Sequence, residues 1–94
     1  MFSHFEALPV HTRSQILAEI ATIAAETLNW RGDLDEGTEL VADLSLDSLR
    51  ALSLLIELEN RLEISLQPED EEGLVTVGDL ISAVLARQER APSP

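Results

Sequence analysis

The 94-residue chain has no cysteine, no lysine and no tyrosine, and its aromatic residues are Phe2, Phe5 and Trp30 alone. Without cysteine there is neither a disulfide framework nor a thiolate metal site, so a domain of this size must be held by apolar side chains. The scarcity of aromatics, set against many Leu, Ile, Val and Ala, favours helix packing over a β-sandwich. Four glycines and four prolines are too few for an all-β fold with frequent tight turns. Cations are also scarce: six arginines stand against 18 acids, for a net charge of −12. That balance disfavours nucleic-acid binding by phosphate neutralisation and suits partners with basic surfaces. No apolar run approaches the roughly 20 residues that span a bilayer. Residues 1–6 have neither the basic start nor the apolar stretch of a signal peptide. A cytoplasmic protein is expected.

What is present is helical periodicity. Residues 1–11 form a leader carrying Phe2, Phe5, Leu8, Pro9 and Val10. Thr12 and Gln15 have capping-box spacing, in which each side chain satisfies an N–H of the first turn. Ile16, Leu17, Ile20, Ile23, Ala24 and Leu28 follow at helical spacing, so a first helix is expected from about Arg13 to Leu28 or Asn29, with Gly32 suited to its C-terminal end. Residues 30–46 are a long connection of the kind that is either functional or locally packed. Leu34, Leu40, Val41, Leu44 and Leu46 are its expected anchors, and Thr38-Glu39-Leu40 an expected turn of helix.

From Ser48 to Leu62 the apolar residues are too dense for one face. Leu54, Leu55, Leu58 and Leu62 make a core stripe, which leaves Leu49 and Ile56 partly exposed. Pro68 and the acids Glu69, Asp70, Glu71 and Glu72 read as the start of a short helix over Gln67–Gly73. Thr76 and Asp79 form a second capping box, and Val77, Leu80, Ile81, Val84 and Leu85 give the last helix its apolar stripe. Arg87 and Arg90 fall in its last turns, where cations are favoured. The expected architecture is all-α: a small four-helix bundle of three main helices and one short one, with a long loop between the first two. The chain divides into a leader (1–11), one domain (12–89) and a flexible tail (90–94).

One segment carries chemistry. Asp43-Leu44-Ser45-Leu46-Asp47-Ser48-Leu49-Arg50 puts a serine at the mouth of an apolar helix, directly after the long loop. The plainest role for Ser48 is a helix N-cap. A helix N-terminus also tolerates a phosphate, because its free N–H groups and dipole favour an anion, although Asp47 would repel one. Nucleophilic catalysis needs a base and an oxyanion site. The histidines, His4 and His11, lie in the leader, and no Gly-x-Ser-x-Gly elbow is present. The run Asp33-Leu34-Asp35-Glu36-Gly37 fails the EF-hand pattern, since the third acidic position is missing and Leu44 stands where the last glutamate belongs. No metal site and no catalytic residue are expected.

Taken together, Asp43-Leu44-x-Leu46-Asp47-Ser48-Leu49, Leu54-x-x-x-Leu58-Glu59-x-x-Leu62, Pro68-Glu69-Asp70-Glu71-Glu72 and Leu74-Val75-Thr76-Val77-Gly78-Asp79-Leu80-Ile81 resemble the acyl carrier protein family over roughly residues 12–89. The resemblance implies 4'-phosphopantetheine, transferred from coenzyme A to Ser48 by a phosphopantetheinyl transferase. It implies a carrier and not an enzyme, monomeric, with acyl intermediates held as thioesters for fatty-acid-like or polyketide biosynthesis. Implied partners are a ketosynthase, acyltransferase or acyl ligase with basic docking patches, meeting a face made by Asp47, Leu49, Arg50, Ile56 and Glu57. The chain departs from the family pattern at Arg50, where an acid is usual, at neutral Ser53 and Asn60, and at Ser45, where glycine is typical. Leu46–Ala51 looks more like polyketide carriers, and the part after residue 66 more like fatty-acid carriers. The natural start and short tails suggest a free-standing protein. The alternatives are an unmodified acidic adaptor and a carrier for an amino acid.

Overall fold

The computed structural model describes residues 11–67 and 71–89. Among these residues the main helices are α1 (Arg13–Thr27), α2 (Ser48–Leu62) and α3 (Val77–Glu89). The all-α reading stands. Residues 68–70 of the short helix expected at Gln67–Gly73 lie outside the described residues, as do the leader positions Phe2, Phe5, Leu8, Pro9 and Val10, and Arg90 in the tail.

Each helix starts where its local chemistry directs. The Thr12 hydroxyl accepts the Gln15 N–H at 3.2 Å, while Gln15 Oε1 accepts the Thr12 N–H at 2.9 Å, which completes the capping box. At α3 the Asp79 carboxylate accepts the N–H groups of Val75 and Thr76 (2.9 and 3.0 Å), and the Thr76 hydroxyl accepts that of Asp79. These backbone hydrogen bonds hold the Asp79 carboxyl below the usual carboxylate range. Helix ends are set by left-handed residues. Asn29 (φ 60°) follows α1 and Glu63 (φ 57°) follows α2. Asn29 therefore does what was expected of Gly32, because an Asn side chain tolerates that conformation.

The core is built from Ile16, Ile20, Ile23 and Ala24 of α1, Leu54, Leu58 and Leu62 of α2, and Val77, Leu80, Ile81 and Val84 of α3. Each large side chain buried this fully stabilises the fold by about 1.5–3 kcal/mol. Among the described residues α1 packs against both other helices, while the backbones of α2 and α3 stay apart. The long loop fills that gap. Leu40, Leu44 and Leu46 are buried in it and Leu34 is half-buried, as expected; Val41 is 69% exposed and is not an anchor.

The loop is tied down by pairing that no local pattern announces. Glu39 bridges Thr76 in antiparallel fashion, with Leu40 N–H donating to Val75 O and Val77 N–H to Thr38 O, both at 2.8 Å. Glu39 is thus in an extended bridge and the helical turn starts at Leu40, where Asp43 and Leu44 N–H both donate to Glu39 O. Gly78 N–H donates to Glu36 O at 2.8 Å, so close that a Cβ on Gly78 would lie 3.1 Å from that oxygen. Arg13 of α1 grips the Glu36 carboxylate with Nε (3.1 Å) and Nη2 (2.6 Å), which holds Glu36 below the usual carboxylate range.

Candidate functional site

The loop delivers Leu46, Asp47 and Ser48 to the open end of the gap between α2 and α3. Asp47, not Ser48, is the N-cap: its Oδ1 accepts the Arg50 N–H at 2.8 Å. Both residue types cap well, so the sequence could not separate two adjacent candidates. The consequence is chemical. Ser48 is the first residue of α2, it is exposed, and among the described residues its hydroxyl makes no hydrogen bond. The N–H groups of the first helical positions lack intrahelical acceptors and face the same end.

Beside Ser48 lies a cavity of about 300 Å³. Leu40, Val41 and Leu46 of the loop form one wall, Ala51 and Leu55 of α2 another, and Leu74 and Leu80 close it from the α3 side, with Asp47, Ser48 and Glu71 completing the lining. Leu55, expected in the core stripe, is half-buried and turned to this cavity. The volume falls within the range of small-molecule sites, which are mostly apolar with a few polar groups. Sequence reading named none of the cavity walls. The available signals were the small residue Ala51 and the excess of leucine on α2.

The other site residues sort by what holds them. Leu49 and Ile56 are 73% and 47% exposed, as their place outside the core stripe required. Arg50 is exposed. Glu57 lies 3.5 Å from Arg61, whose guanidinium also meets Glu19 and Glu26 of α1. Among the described residues, nothing near Ser48 resembles a catalytic relay. His11 is engaged with Gln88, Nδ1 to Oε1 at 3.0 Å, and His4 lies outside the described residues. No cluster of metal-ligating side chains occurs among the described residues.

An exposed, uncapped serine at a helix start, opening onto an apolar cavity, has the form of an attachment point with a shelter beside it. A family model described as the phosphopantetheine attachment site matches residues 18–84. An acyl carrier protein of Exiguobacterium sp. is 34% identical over 76 residues, covering 78% of this chain and 94% of that protein. One from Prochlorococcus marinus is 30% identical over 78 residues, 82% of this chain and 98% of its own. A meromycolate extension acyl carrier protein of Mycobacterium tuberculosis is 30% identical over 86 residues, 90% of this chain and 74% of its own. The chain belongs to the acyl carrier protein family.

Membership implies a covalently attached 4'-phosphopantetheine group. The residues present fit it. A free hydroxyl is available for a phosphodiester, unsatisfied helix N–H groups favour its charge, and an apolar cavity lies within the lining of the same serine.

Proposed function

We propose that Ser48 is the attachment residue and that the chain shelters an acyl group in the adjoining cavity between its turns at successive enzymes. The observation that carries this reading is the exposed Ser48 hydroxyl, free of the cap and set in the lip of a cavity of about 300 Å³. In the loading step Ser48 Oγ forms a bond to phosphorus and gives up its proton to the transferase. The pyrophosphate P–O bond of coenzyme A breaks, and adenosine 3',5'-bisphosphate leaves. Once attached, the group supplies a terminal thiol, absent from this cysteine-free chain, on which cargo is carried as a thioester.

The remaining roles belong to the protein. Asp47 fixes the start of α2 through the Arg50 N–H, and with Leu49 it stands where the transferase must make contact. Leu40, Leu46, Ala51, Leu55 and Leu74 line the cavity and exclude water from an apolar chain. We assign the domain to residues 12–89, with a short acidic helix at Gln67–Gly73 bringing Glu71 to the cavity. The protein works as a cytoplasmic monomer in fatty-acid-like or polyketide-type synthesis, served by a phosphopantetheinyl transferase and by acyl-transferring and condensing enzymes. It performs no catalysis of its own.

The test is the intact mass after incubation with a broad-specificity phosphopantetheinyl transferase, Mg²⁺ and coenzyme A. The expected result is a gain of one phosphopantetheine on the wild type and none on Ser48→Ala. A folded wild type that gains nothing turns the reading to an unmodified adaptor. Mass analysis of the loaded species then separates an acyl from an aminoacyl cargo.

A further inference from the structure

We propose that the cavity beside Ser48 sets a ceiling on the cargo: a fully reduced acyl chain of up to about ten carbons, with Leu55 and Leu80 as residues that fix the limit. The inference rests on the carrier reading and names the class of acyl group that the carrier holds. The cavity measures about 300 Å³. An apolar cavity of about 150 Å³ takes one benzene, or about 25 Å³ per carbon. On that scale the space beside Ser48 takes about twelve heavy atoms. The thioester sulfur and its carbonyl oxygen fill two of those places, which leaves about ten for acyl carbons.

The volume is bounded because its walls belong to the packed core. Leu40, Leu46 and Leu80 line the cavity and are themselves buried, Leu80 to 1% exposure. Leu54, Leu58, Ile81 and Val84 are as fully buried and lie outside the lining, so the space ends where these side chains pack. The loop wall is also held in place. Leu40 N–H donates to Val75 O, Val77 N–H to Thr38 O and Gly78 N–H to Glu36 O, each at 2.8 Å, and Arg13 ties the Glu36 carboxylate to α1. A longer chain must therefore force apart close-packed side chains, which is destabilising, or leave its end in water. The lining also selects for chemistry. Its polar members are Asp47, Ser48 and Glu71, and among the described residues it offers no side-chain donor besides the Ser48 hydroxyl. The Leu40 and Val41 carbonyls already accept the N–H groups of Leu46 and Ser45. A hydroxyl or keto group far from the thioester would lose water there without gaining a partner, whereas a methylene loses nothing.

The test loads the full chain from coenzyme A thioesters of butanoyl, hexanoyl, octanoyl, decanoyl, tetradecanoyl and hexadecanoyl groups with a broad-specificity phosphopantetheinyl transferase, and reads Tm for each product. Tm is expected to climb by about 1 °C per added methylene as far as decanoyl and to rise no further for the two longest chains. An 8-hydroxyoctanoyl group should give less than about half the rise of octanoyl. Leu55→Ala and Leu80→Ala each remove about three carbons from the wall and should move the ceiling to about thirteen, so that tetradecanoyl then gains over decanoyl. Circular dichroism checks that the variants are folded. Leu55 is half-buried, and its variant carries the test if loss of the core side chain Leu80 unfolds the other. The proposal is overturned if Tm keeps climbing to hexadecanoyl, if it levels off at hexanoyl or earlier, if the hydroxylated chain matches octanoyl, or if folded variants leave the ceiling where it was. Mass gain on Ser48 is measured first. Its absence overturns the carrier reading and this one together, whereas normal gain with the wrong response to length overturns this one alone.

Discussion

Leu54 and Leu58 share a helix with Leu49 and Ile56, yet the first pair is 1% and 0% exposed and the second 73% and 47%. The difference is one of direction around the helix, since Ile56 lies between Leu54 and Leu58 along it. α1 packs against both other helices, whose own backbones stay apart. Beside Ser48 the loop, α2 and the approach to α3 leave a cavity of about 300 Å³. A close-packed interior tolerates no such void without cost. The same side chains serve core and cavity: Leu40, Leu46 and Leu80 are buried in the one and also line the other.

Substitution at matched leucines should break this comparison most severely. Leu58→Ala removes a fully buried side chain and should cost about 2–5 kcal/mol, a large part of the roughly 5–15 kcal/mol available to a small domain. Leu49→Ala should stay within about 0.5 kcal/mol. Denaturant midpoints at constant m-value measure both, and equal losses would show that the two regions are not built differently.

Filling the cavity should separate its two uses. Ala51 is half-buried in the wall, and Ala51→Leu occupies part of the volume. In the wild type an octanoyl chain, sheltered at about 0.8 kcal/mol per buried methylene, should raise Tm above that of the unacylated carrier by several degrees, on the order of 2 kcal/mol. In Ala51→Leu the rise should disappear while the unacylated Tm changes little. A full rise in the variant would place the chain elsewhere.

The cap of α3, which lies between the cavity residues Leu74 and Leu80 in sequence, gives a smaller effect. Thr76→Ala removes the hydroxyl that accepts the Asp79 N–H and should cost about 1 kcal/mol. Asp79 supplies the pH dependence. Its folded-state pKa is lowered, by backbone hydrogen bonds from Thr76 and Val75 first. Its contribution is therefore complete above the ordinary aspartate range and is lost as pH falls through the lower folded-state value. The wild type should lose more Tm on acidification than Asp79→Asn, and parallel curves for the two would sink the assignment.

What could be read from the sequence follows the range of the interactions. Both capping boxes join residues three apart, and the core stripes of α1, α2 and α3 repeat within a few turns, so the helices were legible. The exposure of Leu49 and Ile56 followed from the same periodicity. Pairing of Glu39 with Thr76, 37 positions on, was not legible, and without it Thr38–Leu40 looks helical and Val41 looks buried. Which residues wall the cavity was hidden for the same reason, because they come from the loop, α2 and the approach to α3. Ser48 was legible as the candidate site while its escape from the capping role was not, since Asp47 and Ser48 are equally good caps.

Ser45 offers the finest comparison, between a strained loop and the regular helix that it feeds. Its φ is 58°, the left-handed region that costs a non-glycine residue about 1–2 kcal/mol. The departure from glycine therefore leaves the backbone in the conformation glycine would adopt, and the strain lies three residues before Ser48. Ser45 N–H donates to Val41 O, and Leu46 N–H to Leu40 O, so the turn is over-determined by its neighbours and keeps its shape. Ser45→Gly removes the steric cost but gives the unfolded chain back roughly 0.4–1 kcal/mol of freedom, so a net gain of only about 0.5 kcal/mol is expected. Ser45→Val, β-branched at positive φ, should lose about 1–2 kcal/mol. Denaturant midpoints should run Gly, Ser, Val from most to least stable. If valine were tolerated as well as serine, the left-handed turn would not be what aims Leu46 into the cavity and Ser48 out of it.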